Sequence, residues 1–335
     1  METSMPLTSA TDARAGHPTI EVDAARYLGL AGKPEHVASR LAITYTDRSF
    51  VPLPDELAAD WVATVAVPAF KLIRQRQGVQ QAFASIGTGV GLDALAAIET
   101  LGATRIGITD VHEEVVSTAV TNITRNLRDP FGIALDASAG DLLSPLRPVA
   151  LRYDLIYENL PNIQIDDAER IAAERTSSGH FSPRTEPVPD ILQKNFLALH
   201  YLALQQAPDF LKPGGAVLSM LGGRVPLSLF QEMATLAGLK SEIYTYGWKI
   251  QAMPEEIIRG HAERQRDGYG PFHFYLAARL ADAFDGVDLE SSGARALEIE
   301  DSIASDRLAP SEAYEAWKRG EVIGHTFAAL RSWVG

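Results

Sequence analysis

The sequence contains no cysteine. That excludes disulfides, thiolate zinc sites, cysteine-ligated iron–sulfur clusters and a cysteine nucleophile. It is compatible with a reducing compartment, and the cytoplasm is the expected location. No apolar stretch approaches the roughly 20 residues needed to cross a bilayer, so no membrane partner is expected. Residues 1–18 lack the basic start and apolar run of a signal peptide and read as a disordered tail. Positive charge is scarce, with 30 Lys+Arg against 43 Asp+Glu. This balance argues against a protein whose main task is gripping phosphate backbones, and no nucleic-acid partner is expected. The eight histidines form no cluster of metal-ligand spacing, so no metal is expected either.

What remains is ordinary for a folded domain. The chain is 46% hydrophobic and 22% charged, which excludes wholesale disorder. From 19 to 81 the pattern is mostly helical, punctuated by Pro52, Pro54 and Pro68, with an apolar-rich helix at 58–67 around Trp61. This region reads as a helical cap. From 82 onward strands and helices alternate. Phe83-Ala84-Ser85-Ile86 reads as a buried strand, 92–101 as a helix ending at Gly102, 105–109 as a strand and 113–127 as a helix. A weaker signal places a third strand before Gly140, and a fourth strand reads over 153–157. A helix over 191–210, a strand over 216–221, a helix over 227–237 and strands over 241–247 and 272–277 follow. Such alternation predicts an α/β fold: a mostly parallel sheet flanked by helices. The expected organisation is a tail (1–18), a helical cap (19–81), a core domain (82–279) and a helical C-terminal extension (280–335). The extension, helical over 310–333, packs either on the domain or on a second subunit of a homodimer.

Gly87, Gly89 and Gly91 fall between a strand and a helix. A ligand approaches a backbone closely only where no side chain intervenes, and tight turns need dihedrals that glycine adopts freely. The spacing is G-x-G-x-G, whereas dinucleotide binders carry G-x-G-x-x-G. Asp110 ends the next strand, about 20 residues on, where a carboxylate can accept both hydroxyls of a ribose. It is also placed to cap the following helix. Asp141 follows the third strand, where a carboxylate can accept from an adenine amino group.

The ordered set Ile86-Gly87-Thr88-Gly89-Val90-Gly91, Asp110, Gly140-Asp141, Asp154-Leu155-Ile156-Tyr157-Glu158-Asn159-Leu160-Pro161 and Leu211-Lys212-Pro213-Gly214-Gly215 resembles the class I S-adenosylmethionine-dependent methyltransferases, over residues 82–279. The resemblance implies a Rossmann-like fold. It also implies S-adenosyl-L-methionine as donor and S-adenosyl-L-homocysteine as product, held by Gly87, Thr88, Gly89, Gly91, Asp110, Val111, Asp141, Leu142 and Asn159. One position departs from the family: its acidic residue two before the first glycine is Ser85 here, which weakens the expected contact to the donor's amino group. Asn159-Leu160-Pro161-Asn162 is similar to the N-P-P-Y segment of methyltransferases that modify planar nitrogens, but Asn162 replaces the stacking aromatic.

A further series, Met220-Leu221-Gly222-Gly223-Arg224, Tyr246-Gly247-Trp248-Lys249-Ile250-Gln251-Ala252 and Phe272-His273-Phe274-Tyr275-Leu276, resembles the methyltransferase domain of methionine S-methyltransferases. This implies L-methionine as a small-molecule acceptor and S-methyl-L-methionine as product, a first step toward dimethylsulfoniopropionate. A thioether has no proton to lose, so no general base is required. Glu158 and Asn159 stand where an acceptor's ammonium would find oxygens, and are the candidate catalytic pair. Arg224 and Arg184 are candidates for its carboxylate. Trp61, Tyr244 and Tyr246 could favour a sulfonium by cation–π attraction. The polar insert 164–189, with His180 and Phe181, is placed to act as a lid. Two alternatives stay open: an N-methyltransferase acting on an amide or amine, and a nucleotide-binding dehydrogenase or silent binding module.

Overall fold

The computed structural model describes residues 17–164, 180–181 and 184–335. Its strands in chain order are β1 (Thr19–Asp23), β2 (Arg40–Thr44), β3 (Ala82–Ile86), β4 (Arg105–Asp110), β5 (Ala134–Ala139) and β6 (Tyr153–Glu158). Then come β7 (Ile163–Gln164), β8 (His180–Phe181), β9 (Leu211–Gly223), β10 (Lys240–Ile250), β11 (Tyr275–Leu276) and β12 (Ile323–Trp333). The central sheet runs β10-β12-β9-β6-β3-β4-β5, with β11 paired to β12. Strands β5, β4, β3, β6 and β9 run parallel to one another. Strand β12 is antiparallel to both β9 and β10. The expected α/β fold, a mostly parallel sheet flanked by helices, is what the chain adopts.

Every residue of β3 is buried, because helices cover both faces of the sheet there. The helix Leu92–Leu101 is bounded by two glycines in the left-handed region, Gly91 at φ 82° and Gly102 at φ 71°. After β3 the chain steps to β4 and β5 on one side, then returns to β6 on the other. Strand order therefore reverses between β3 and β6. A crevice opens beyond the carboxyl ends of strands at such a point, and the glycine turn and the Asn159–Asn162 segment both leave the sheet there.

Several expectations are corrected. The segment 19–81 is not purely helical: β1 and β2 form an antiparallel pair whose I-E-V and L-A-I alternation is a two-residue period. This pair is tied to the helix Glu113–Asn126 by two buried asparagines one turn apart. Asn126 exchanges bonds with the Ala42 backbone at 2.8 and 3.0 Å, and Asn122 with Thr44 at 2.9 and 2.7 Å. The helix around Trp61 widens into a π-turn at Val62–Ala66 before continuing as Val67–Gln77. Pro68, with no N–H to give, sits just past the widened turn.

The helix expected over 191–210 breaks into Asp190–Lys194 and Ala198–Gln206 around Phe196, held at φ 62° and stacked on Phe272 at 4.5 Å. The largest correction is at the C-terminus. The last helix ends at Lys318, Gly320 turns the chain at φ 92°, and 323–333 is not helix but β12. That strand is buried on both faces, so it shows no alternation and its apolar run looks helical. Because β12 lies between β9 and β10, residues 280–335 complete the sheet, and a boundary at 279 would cut through it. Of 272–277 only Tyr275–Leu276 pairs as a strand.

Candidate functional site

A cavity of about 220 Å³ lies at the reversal point, lined by the glycine turn, the Asn159–Ile163 segment, the Trp61 region and the Arg224–Gln251 region. The glycine turn forms one wall. The N–H groups of Gly87 and Thr88 both donate to the Thr109 carbonyl, at 2.9 and 3.0 Å. Gly87 (φ 68°) and Gly89 (φ 53°) take the left-handed conformation. A Cβ on Gly89 would meet no atom within 4 Å and would project into open space, so the glycine keeps the crevice clear.

Asp110 joins this turn to the next helix. Its carboxylate accepts from Gly89 N at 3.4 Å and from His112 N at 3.1 Å. Burial raises its pKa above the ordinary carboxylate value, and these N–H donors partly offset the shift. Val111 beside it is 69% exposed, an apolar surface on the open side of the turn. Neither lines the cavity; both flank it beside the glycine turn.

Asp93 stands at the base of the cavity in the first turn of the helix Leu92–Leu101, 3% exposed. It accepts from Ser85 Oγ and, at 3.0 Å, from Thr88 Oγ1. Burial pushes its carboxyl up to about 6. Above it, Asp60 accepts from the Tyr27 hydroxyl at 2.7 Å. The Tyr157 hydroxyl, buried among these carboxylates, has no partner among the described residues.

Two basic side chains also belong to the site. Arg224 is 6% exposed and donates to Gln251 Oε1 at 2.6 Å, while its Nε has no partner. Burial lowers its guanidinium to about 9. A Cβ on Gly222 would collide with that guanidinium, so this glycine makes room for the arginine. Lys249 is buried behind, its Nζ on the Ala59 carbonyl at 2.6 Å and 5.0 Å from the Trp61 ring. Burial, then the charge of Arg224, lowers it to about 7. Among the described residues no carboxylate pairs with Arg224 or Lys249. The cavity wall thus carries two aspartates, Asp60 and Asp93, and a guanidinium with no carboxylate of its own.

Several sequence candidates meet in this cavity: Gly87, Gly89, Asn159, Trp61 and Arg224 line it. Thr88 and Gly91 shape the turn. Others stand elsewhere. Glu158 is fully buried and does not line the cavity; its Oε2 lies 2.7 Å from His200 Nδ1, so it is not available to touch an acceptor. Arg184 is not in the cavity: it pairs with Asp141 (2.5 and 3.1 Å) and with Glu186. That pair, with Gln206, occupies both oxygens of Asp141. Leu142 is buried at φ 49° beside it. Tyr244 lies under Arg76 at 5.4 Å and Tyr246 against Phe284 at 5.4 Å, both packed in the core and absent from the cavity wall. His180 is on β8, paired with Ile163 on β7. The lid expected over 164–189 falls largely outside the described residues.

Sequence reasoning missed Asp93, Asp60, Tyr157 and His200. Asp93 carried a usable signal, since an acid two residues past the glycine turn can serve the strand end that Ser85 leaves neutral. His200 carried none, because it joins Glu158 only through the packing of a helix on β6.

Among the described residues no group of three or more His, Asp or Glu is placed to hold a metal, and no helix is long and apolar enough to cross a membrane. No protein-family model matches the chain, and no curated sequence does. Among solved structures it is similar to a ribosomal protein L11 methylase from Lactobacillus delbrueckii subsp. bulgaricus, at 19% identity over 53% of this chain and 70% of that one, with a TM-score of 0.34. It is also similar to the YcgJ protein of Bacillus subtilis (12% identity, 79% and 97% covered, TM-score 0.40). A third is a phosphoethanolamine N-methyltransferase 2 of Haemonchus contortus in complex with S-adenosylhomocysteine (12%, 78% and 51%, TM-score 0.34).

Proposed function

We propose that this protein is an S-adenosylmethionine-dependent methyltransferase whose acceptor is L-methionine, forming S-methyl-L-methionine, a precursor for dimethylsulfoniopropionate. One observation carries the acceptor: the buried guanidinium of Arg224 faces, without a carboxylate of its own, a small cavity that begins at the glycine turn. Burying an uncompensated charge costs several kcal/mol in general, and a ligand anion recovers it. At about 220 Å³ the space is below the roughly 300–1,000 Å³ of sites for drug-sized ligands and suits an amino acid.

The residues present fit the donor. The open face of Gly89 leaves room for its methionyl end, and Asp110 accepts from its ribose. When bound, the donor supplies an electrophilic methyl on a sulfonium. Arg224 holds the acceptor's carboxylate, Asp60 and Asp93 set a negative potential around the cationic groups, and the Trp61 face excludes water. Orientation is then the chain's main contribution. Asn159 lines the same cavity and fits the wider reading of an N-methyltransferase, but the flat stacking residue that an amide acceptor wants is Asn162 here.

Isothermal titration tests the proposal. With S-adenosylhomocysteine present, methionine binds, and other amino acids bind more weakly. Asp110→Ala weakens S-adenosylhomocysteine by roughly 1.5–3 kcal/mol, the range for a hydrogen bond to a charged group. Binding of other amino acids in place of methionine overturns the acceptor.

A further inference from the structure

We propose that Glu158, His200 and Asn162 form a positioning chain that turns the Asn162 amide nitrogen into the cavity as a second donor, beside Arg224, to the carboxylate of an amino-acid acceptor. The inference deepens the function proposed above and rests on it.

The chain begins in the core. Glu158 is fully buried at the end of β6, with Oε2 2.7 Å from His200 Nδ1 and Oε1 without a partner among the described residues. His200, 1% exposed, comes from the helix Ala198–Gln206. Its other nitrogen, Nε2, lies 2.8 Å from Asn162 Oδ1. Oxygens thus flank the ring on both sides. With Glu158 ionised and Asn162 Oδ1 on the ring side, both contacts are hydrogen bonds when each ring nitrogen carries a proton. Such an imidazolium also neutralises a carboxylate that would otherwise stand alone in the interior.

The consequence reaches the cavity. With Oδ1 taken by His200, the free end of the Asn162 amide is Nδ2, a donor. Asn162 and Arg224 both line the main cavity, and both also line a second hollow of about 10 Å³ behind it, so they share one wall. A carboxylate placed there receives the guanidinium and an amide N–H together. The reverse arrangement, a neutral ring accepting from Nδ2, would show Oδ1 to the cavity. That oxygen would repel a carboxylate and hold an ammonium. The protonation of His200 therefore decides which end of a zwitterion this wall accepts. Asn162 is the binding residue and His200 a positioning residue.

Two measurements on the whole chain decide it. The first is titration, with S-adenosylhomocysteine present, of methionine and of 3-(methylthio)propylamine, which lacks only the carboxylate. Asn162→Ala is expected to weaken methionine about tenfold and leave the amine and S-adenosylhomocysteine unchanged. Equal losses for both probes, a loss for the amine alone, or no loss for methionine overturns the clamp. If the unaltered protein binds neither probe, the amino-acid acceptor itself falls, a result distinct from any of these. The second is histidine 15N NMR of the unaltered protein, which needs no variant to fold. The expected signature for His200 is an imidazolium with protons on both nitrogens; a neutral ring overturns the positioning chain.

Discussion

The Asp93 carboxylate, in the first turn of the helix after the glycine turn, accepts a hydrogen bond from Ser85 at the end of β3. Ser85 stands where the resemblance expects an acid. The helix thus returns a carboxylate to a strand end that the strand's own residue leaves neutral.

That placement has a pH signature. Burial raises the Asp93 carboxyl from 3.8 to about 6. The folded protein therefore holds this proton more tightly than the unfolded chain does. The resulting stabilisation is fully present below about pH 4 and is lost as pH rises through about 6. The gap corresponds to roughly 3 kcal/mol. Asp93→Asn keeps the shape and removes the proton. Denaturant unfolding should show the variant gaining on the wild type by about 2–3 kcal/mol between pH 4 and pH 7. A difference that stays flat over that window would contradict a buried Asp93.

Arg224 should show the opposite balance of stability and function. An unpaired buried guanidinium is costly, and an apolar side chain of similar length removes the cost. Arg224→Met should raise the thermal midpoint or leave it unchanged. It should also weaken methionine at least about tenfold, with S-adenosylhomocysteine affinity intact. Equal losses for donor and acceptor would remove Arg224 from its assigned role.

The C-terminal strand should be indispensable. Strand β12 pairs with β9 on one side and β10 on the other. Truncation after Gly320 would leave two strand edges unpaired and uncover the apolar faces of β9 and β10. The truncated chain should be insoluble or lack a cooperative unfolding transition by circular dichroism. A soluble, cooperatively folding product would mean that residues 321–335 are an appendage after all.

The core of the fold was legible because its signals are local. Glycines bound the helix Leu92–Leu101, and turn residues bound β3 and β4, so periodicity and punctuation agree there. Strand β12 was not legible. A strand covered on both faces has no two-residue alternation, and its placement between β9 and β10 is a long-range event. The π-turn before Pro68 and the break at Phe196 were hidden for a similar reason: tertiary packing overrides a continuous apolar pattern. Residue type and position singled out the glycine turn and Arg224, which line the cavity, and Asp110, which flanks it. The partners of Glu158 and Asp141 were not singled out, since His200 and Arg184 reach them from 42 and 43 residues away in sequence. Tyr244 and Tyr246 looked available because aromatic residues serve cores and cation sites alike, and only burial separates the two uses.

The central claim is transfer of a methyl group to the sulfur of free methionine. It is tested most directly by incubating the purified protein with S-adenosylmethionine carrying a trideuterated methyl group and a mixture of amino acids, followed by mass spectrometry. The account predicts S-methylmethionine bearing three deuterium atoms, at a rate that falls steeply in Arg224→Met. Label recovered in protein or in another amino acid, with none in S-methylmethionine, would contradict it.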